Sequence, residues 1–470
     1  MSASVSPAST NGPASPDHRA LIAVDLGAES CRVSLLRWSE GKPYIELVHR
    51  FGHQPEYRDG GLRWDLPRIV AGVDEGLAKC ATIAAEGVRS IAVDGWAVDY
   101  VRLSSDGAVL EDPFCYRDER NRHAEVSLYQ RISPARLREL SGVQLQPINT
   151  VYQQHADHLQ SNHTAWLNVP EYMLYHWGAR PIAERTNATH SAMIDLSGHW
   201  NKEIFDAAGV NIVDAPELVE AGTIVGTYSG SVAALQGTSL IAPCCHDTAS
   251  AVAGIPAEGQ DWAYISSGTW SLVGTVLDHA CNTSEAAKEN FTNLGAAGGR
   301  VLFHKGIGGM WLLQQSMRTW GLTDVSALIE QARAVTDLPD SDLADVDDPA
   351  LAAPGDIPAR INAQRTAKGL APILDPSQMT RLIFESLAAR YTSVLRSMSS
   401  MTGKQFRRIY IVGGGSQNAL LNSLTERAAG IPVVRGSVES STIGNFALQL
   451  AALSGDTSAA HIANLAAKLQ

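Results

Sequence analysis

The residues of this sequence best suited to chemistry are Pro243-Cys244-Cys245-His246-Asp247-Thr248-Ala249-Ser250. Small residues from Ala249 to Ala253 predict a helix that starts directly after Asp247. A carboxylate at such a strand-to-helix turn lies near the positive end of the helix dipole, stays ionised there, and can take a proton from a substrate hydroxyl. Asp and Thr ahead of a helix also serve as plain caps on unpaired amides. These residues alone leave both uses open.

The elements around this turn repeat a pattern. Leu21-Ile22-Ala23-Val24 reads as a buried strand, Asp25-Leu26-Gly27-Ala28-Glu29-Ser30 as a turn, and Cys31 to Trp38 as the return strand. The tip of such a hairpin can face its amides to a phosphate, or be no more than a tight turn. Asp25 stands where it could orient a hydrated Mg2+, and Arg32 lies just past the turn. Trp262 to Val276 repeats strand, glycine-bearing turn and strand, which predicts a duplicated domain with one phosphate-facing hairpin per lobe.

Between the hairpins, Pro67 to Ala85 carries the apolar stripe of an amphipathic helix (Ile69, Val73, Leu77, Ile83). Val88 to Val93 reads as a strand that ends in Asp94-Gly95-Trp96-Ala97-Val98-Asp99-Tyr100. Those carboxylates and aromatics could bind and stack a sugar, or cap a strand over a Trp-lined core. Residues 116–183 read as mostly helical, Glu184 to Asp195 as loop or edge strand, and His155, His158 and His176 as surface residues. Gly306, Gly308 and Gly309 run into a helix over Met310 to Trp320. The Asp-rich stretch 337–348 reads as a solvated excursion, and Ser377 is expected to cap a long helix. Arg408 to Val412 is a strand leading to Gly413-Gly414-Gly415-Ser416-Gln417-Asn418. Glycines there allow close approach to a base or ribose, or make a plain β-α turn.

At 470 residues the chain is long enough for two or three domains. A formal net charge of -12 argues against nucleic acid or anionic membrane as the main partner. The six cysteines form no CxxC, which fits reduced thiols in a cytoplasmic enzyme. Residues 1–18 read as a disordered tail. No apolar run reaches the roughly 18 residues that a membrane helix needs.

Taken in order, the three glycine-bearing turns and the His246 to Ser250 run resemble the FGGY carbohydrate kinases of the actin-like ATPase superfamily, most of all their rhamnulokinase branch. The likeness is carried by Val24 to Ala28, Asp94 to Tyr100, His246 to Ser250, Ser266 to Leu272, Trp311 to Gln314 and Val412 to Asn418, and it spans residues 20 to 460. It implies an α/β fold of two ribonuclease-H-like lobes with ATP and sugar in the cleft between them. The lobes would cover 19–245 and 246–460, with a C-terminal tail over 461–470. ATP and Mg2+ would be the cofactors and a small ketose the partner, with L-rhamnulose phosphorylated at C1 in rhamnose catabolism by a monomer or homodimer. Asp247 would be the general base. Asp94, Trp96, Ala97, His246, Thr248 and Gly306 would meet the sugar. Ala28, Glu29, Ser30, Cys31 and Arg32 would lie by the terminal phosphates, Thr269 and Gln314 on the nucleotide, and Gly413, Gly414 and Gly415 at the adenosine. The chain departs from the family at Glu29-Ser30-Cys31 in place of Ser-Ser-Gly, at Ala97 in place of Gly, and at Gly306 in place of a sugar-facing Asn. Kinases for L-fuculose, L-xylulose or L-ribulose, and a non-catalytic actin-like ATP binder, are the alternatives.

Overall fold

Two six-stranded sheets organise the chain, in a computed structural model that describes residues 17–158 and 165–470. The first is built from β1 (Ala20–Leu26), β2 (Ser30–Ser39), β3 (Lys42–Gly52), β4 (Val88–Gly95), β5 (Thr223–Thr227) and β6 (Ser239–Ala242), in the order β5-β6-β4-β1-β2-β3. The second is built from β7 (Trp262–Ser267), β8 (Trp270–Leu277), β9 (Thr292–Ala296), β10 (Arg300–Gly308), β11 (Arg408–Val412) and β12 (Val433–Arg435), in the order β9-β10-β8-β7-β11-β12. In each, a central strand pairs antiparallel with the strand after it and parallel with a later one: β1 with β2 and β4, β7 with β8 and β11. Leaving aside the edge strands β5 and β9, order and sense are the same in both sheets. The duplication expected from the two hairpins is present.

The helices packed on or between these sheets include α1 (Leu66–Ile83), α2 (Asp247–Ala253), α3 (Trp311–Trp320), α4 (Pro376–Thr402), α5 (Ser440–Ser454) and α6 (Ala459–Lys468). The period of two in a strand decides which of them each residue meets. Ala20, Ile22, Val24 and Leu26 of β1 pack with Ile69, Val73 and Leu77 of α1. Leu21 and Ala23 turn the other way, onto Phe446 of α5. Both faces of β1 are covered, so its run is apolar nearly throughout. Full burial of Phe446 alone contributes roughly 1.5–3 kcal/mol. In β7, Ala263 and Ile265 pack with Leu382, Ile383 and Leu387 of α4. Trp262 and Tyr264 share a core with Ala249 and Val252 of α2 and Ile443 and Ala447 of α5.

Helices α2 and α5 thus form a layer between the sheets. They cross at Gly444, where a Cβ would stand 1.8 Å from the carbonyl oxygen of Ser250, so only glycine fits. One face of α5 carries polar residues four apart. The Ser441 hydroxyl donates to Asp25 at 2.7 Å, Asn445 Nδ2 to Asp94 Oδ2 at 2.7 Å, and Gln449 Oε1 accepts from Ser90 at 2.7 Å. The three bonds give partners to buried polar groups on β1 and β4.

Several expectations are corrected. Residues 461–470 are mostly α6, with Ile462 and Ala466 buried, and not a tail. The cap of α4 is Asp375, which accepts from Gln378 N at 2.9 Å, because Pro376 takes the first helical position ahead of Ser377. The stretch from Glu184 continues as helical turns over Arg185–Ala188 and Thr189–Ser191. His155 is buried, its ring nitrogens 2.9 Å from Ala208 O and 3.0 Å from Ser127 Oγ, whereas His158 and His176 are exposed. The Asp-rich stretch is held down: Asp337 pairs with Arg381 and Arg427, Asp347 with Arg390, and Val346 is buried beneath. The tail expected over 1–18 lies outside the described residues except for 17 and 18. Among the described residues no helix is long and apolar enough to cross a membrane, and the cysteines are free thiols.

Candidate active site

Asp247 is the first residue of α2, and His246 before it is the N-cap residue. The Asp247 Oδ1 atom accepts from the Thr248 hydroxyl at 3.1 Å and lies 3.4 Å from His246 Nε2. The carboxylate keeps 37% of its side chain exposed, and protein walls in the rest. Loss of water, with the negative charge of Asp25 adding to it, raises its pKa to about 7. Full ionisation was expected from the helix dipole; desolvation outweighs it. A group that titrates near neutrality is well matched to proton abstraction.

Two further carboxylates lie beneath. Asp25 and Asp94 are register neighbours on β1 and β4, and burial raises the pKa of both. Arg32 Nη1 lies 3.5 Å from Asp25 and 2.5 Å from Glu439, which joins the first hairpin to the start of α5. Asp94 is fully buried and bonded to Asn445, so it faces α5 and not the open surface expected of a sugar contact.

A close approach brings the β4 end to Asp247. A Cβ at Gly95 would stand 2.8 Å from Leu26 O, and Gly95 N donates to Cys245 O at 2.9 Å. Asp99 turns inward: it accepts from the Trp64 and Trp96 indoles at 2.6 and 3.1 Å, from Tyr116 N at 3.2 Å and from Gln153 at 3.0 Å. Trp96 is therefore tied into a pair with Trp64, centroids 4.8 Å apart, and only 5% of it is exposed. Ala97 is half-buried, and Val98 after it has a φ of 74°, held by Thr150 Oγ1 at 2.8 Å on its carbonyl. A branched residue in that region stores strain, which here shapes the turn beside the site.

The nucleotide-side residues fall into two groups. At the first tip Gly27 N donates to Ser30 O at 3.2 Å; Ala28 and Ser30 are half-buried and Glu29 is exposed. The Cys31 thiol points into the core, so only its backbone can face a phosphate. At the second tip, Gly268 O and Thr269 O accept from Met310 N and Trp311 N at 3.1 and 3.0 Å. That docks the hairpin on the start of α3 and brings exposed Thr269 and Gln314 to one end of the helix. Of the three glycines, two serve the fold: a Cβ at Gly413 would stand 2.9 Å from Ser267 O, and one at Gly415 2.0 Å from Ser267 Oγ. Only Gly414 faces open space. Gly306 stands apart, lining a cavity of about 250 Å³ with Gln144, Trp270, Lys305 and Asp347, a wall that does not include Asp247.

Sequence reasoning missed three residues. Buried Glu184 accepts from Cys245 N at 2.8 Å and so fixes the loop that carries His246 and Asp247. His190 Nε2 lies 3.2 Å from His246 Nδ1, and Asn445 holds Asp94. The signal for Asn445 was available, in the spacing of Ser441, Asn445 and Gln449; nothing local distinguishes the other two.

Comparison with known proteins bears on the whole chain. The model of the FGGY family of carbohydrate kinases, N-terminal domain, matches residues 20–254, and that of the C-terminal domain matches 263–453. A rhamnulokinase of Enterococcus faecalis is 34% identical over 452 residues, covering 93% of this chain and 90% of that protein. One of Bacteroides thetaiotaomicron is 34% identical over 439 residues, covering 91% and 90%. Among solved structures, a ligand-bound xylulose kinase from Lactobacillus acidophilus superposes with a TM-score of 0.78 at 16% identity, over 95% of this chain and 92% of that one. Plasmodium falciparum glycerol kinase with ADP gives 0.78 at 12% identity, over 96% and 93%. At those identities the structures speak for the fold.

Proposed function

The chain belongs to the FGGY family of carbohydrate kinases and is an ATP-dependent sugar kinase, and from that premise we propose that it phosphorylates L-rhamnulose at the C1 hydroxyl with Asp247 as general base. The observation that carries the reading is the part-exposed Asp247 carboxylate at the first turn of α2. The names of the relatives support the sugar. Phosphoryl transfer asks little covalent chemistry of a protein; it needs a nucleophile and a terminal phosphate held in line. Asp247 takes the hydroxyl proton as the sugar oxygen bonds phosphorus, and the hairpin tips at Ala28 to Ser30 and at Thr269 offer amides to the phosphates. Gly414, Thr269 and Gln314 would line the nucleotide.

Burial raises the pKa of Asp94 and Asp247, the charge of Asp25 raises both further, and that of Asp247 adds to Asp94, which marks an excess of negative charge around these three carboxylates. Among the described residues no three His, Cys, Asp or Glu are arranged to hold an ion directly. The carboxylates here fit Mg2+ carried by the phosphates, which Asp25 would meet through water. Such an ion neutralises charge on the transferred phosphoryl group.

Two measurements test the reading. Coupled assays with L-rhamnulose, L-fuculose, L-xylulose and L-ribulose should give the highest kcat/KM on L-rhamnulose; no turnover of it rejects the substrate. Asp247→Asn should lower kcat by about 10²- to 10⁴-fold with nucleotide affinity and melting nearly intact; near-normal turnover would assign the proton elsewhere.

A further inference from the structure

The rings of His190 and His246 meet edge to face, centroids 4.0 Å apart, with His190 Nε2 3.2 Å from His246 Nδ1. The remaining nitrogen of His246, Nε2, is 3.4 Å from Asp247 Oδ1. Burial holds both imidazoles below the usual histidine range, His190 down to about 3, and nearby His304 adds to it. Both are therefore neutral and carry one N–H each.

A carboxylate oxygen can only accept. With Asp247 ionised, the single N–H of His246 sits on Nε2, which makes its Nδ1 an acceptor. An N–H on His190 Nε2 then completes the chain, and the donors run one way, from His190 to His246 to Asp247. The Thr248 hydroxyl reaches the same oxygen, Oδ1, at 3.1 Å. The Thr248 hydroxyl bonds Oδ1 and His246 Nε2 approaches the same oxygen, which leaves Oδ2 for the substrate. His190 is well placed to set this order, because its turn is anchored twice. Its carbonyl accepts from Asn149 at 3.0 Å, and Thr189 Oγ1 accepts from Gly295 N of β9 at 2.9 Å.

We propose that His190 is a positioning residue for the phosphoryl transfer: by donating to His246 Nδ1 it fixes the tautomer that pins Asp247 Oδ1 and turns Oδ2 toward the sugar hydroxyl. This rests on Asp247 being the base. In the step itself the substrate O–H bond breaks as oxygen bonds the γ-phosphorus, the proton passes to Oδ2, and the bridging electron pair leaves with ADP. The N–H of His246 stays in place throughout.

Three variants test it. His190→Leu has no donor, His190→Asn has one too short to reach His246, and His190→Gln carries an N–H near the position of the lost Nε2. Leu and Asn should lose about tenfold or more in kcat with KM for ketose and for ATP within about twofold of wild type, and Gln should restore most of the loss. If the Leu protein fails to fold, the Asn–Gln pair carries the comparison. Histidine 15N shifts should report the Nε2–H form of His246 in wild type and Gln, and a mixture in Asn. Wild-type kcat in both Leu and Asn, a Gln protein no better than Asn, or a rise in KM at unchanged kcat would each overturn the assignment. If Asp247→Asn abolishes turnover while the His190 variants are silent, this inference alone fails; if Asp247→Asn stays active, the base itself is misassigned.

Discussion

Asp247 does two things that pull against each other: it must be charged to accept a proton, and the protein makes that charge costly. Its pKa is raised to about 7, so the carboxylate form is depleted as pH falls below that value. The log of kcat/KM should climb with unit slope below about 7 and level off above it, in initial-rate profiles for the preferred ketose. A limb near the ordinary carboxylate value instead would show that water reaches Asp247 from more than one side. The place of this carboxylate was legible in the sequence, because a carboxylate between an apolar strand and a small-residue helix has few places to be. Its supporting groups were not. Glu184 touches Cys245 across 61 residues of chain, and His190 touches His246 across 56. A side chain's partner at that separation is a property of the fold. Cys31, Gly413 and Gly415 erred the other way, since residues in a loop of the right composition turned out to serve the protein's own packing.

Among elements, the crossing of α2 with α5 governs where Asp247 stands. Gly444 lets the two backbones touch at Ser250, three residues beyond the base. Gly444→Ala should force the helices apart, with a loss of about 1–3 kcal/mol from overpacking and a fall in kcat beyond what the stability loss explains. Urea unfolding and turnover on the same preparation would check it; a variant with wild-type values in both would mean the contact is soft. The strands and most helices were readable from periodicity, and the hairpin repeat disclosed the duplication. Helix α5 shows why that reading stops at the element. Its apolar content says it is buried, but its polar stripe belongs to residues of β1 and β4 far earlier in the chain.

For the whole molecule, the two hairpin tips belong to different sheets, and the expected outcome of binding is a cleft that shuts so that both attend one nucleotide. Small-angle scattering should report a smaller radius of gyration with ketose plus a non-hydrolysable ATP analogue than with neither, since closure completes the site and excludes water. An unchanged radius under saturating ligands would mean that the lobes are preset and that selectivity against hydrolysis arises elsewhere.

The bond from Ser441 to Asp25 joins positions 416 residues apart, and this has a meaning in time. A ribosome adding about 5–20 residues per second needs on the order of 20–80 s to go from one to the other. Until that interval ends, β1 and β4 stand without the helix that covers Leu21 and Ala23 and takes the hydrogen bonds of Asp25, Ser90 and Asp94. The half of the protein made first is thus the one that waits longest for its cover.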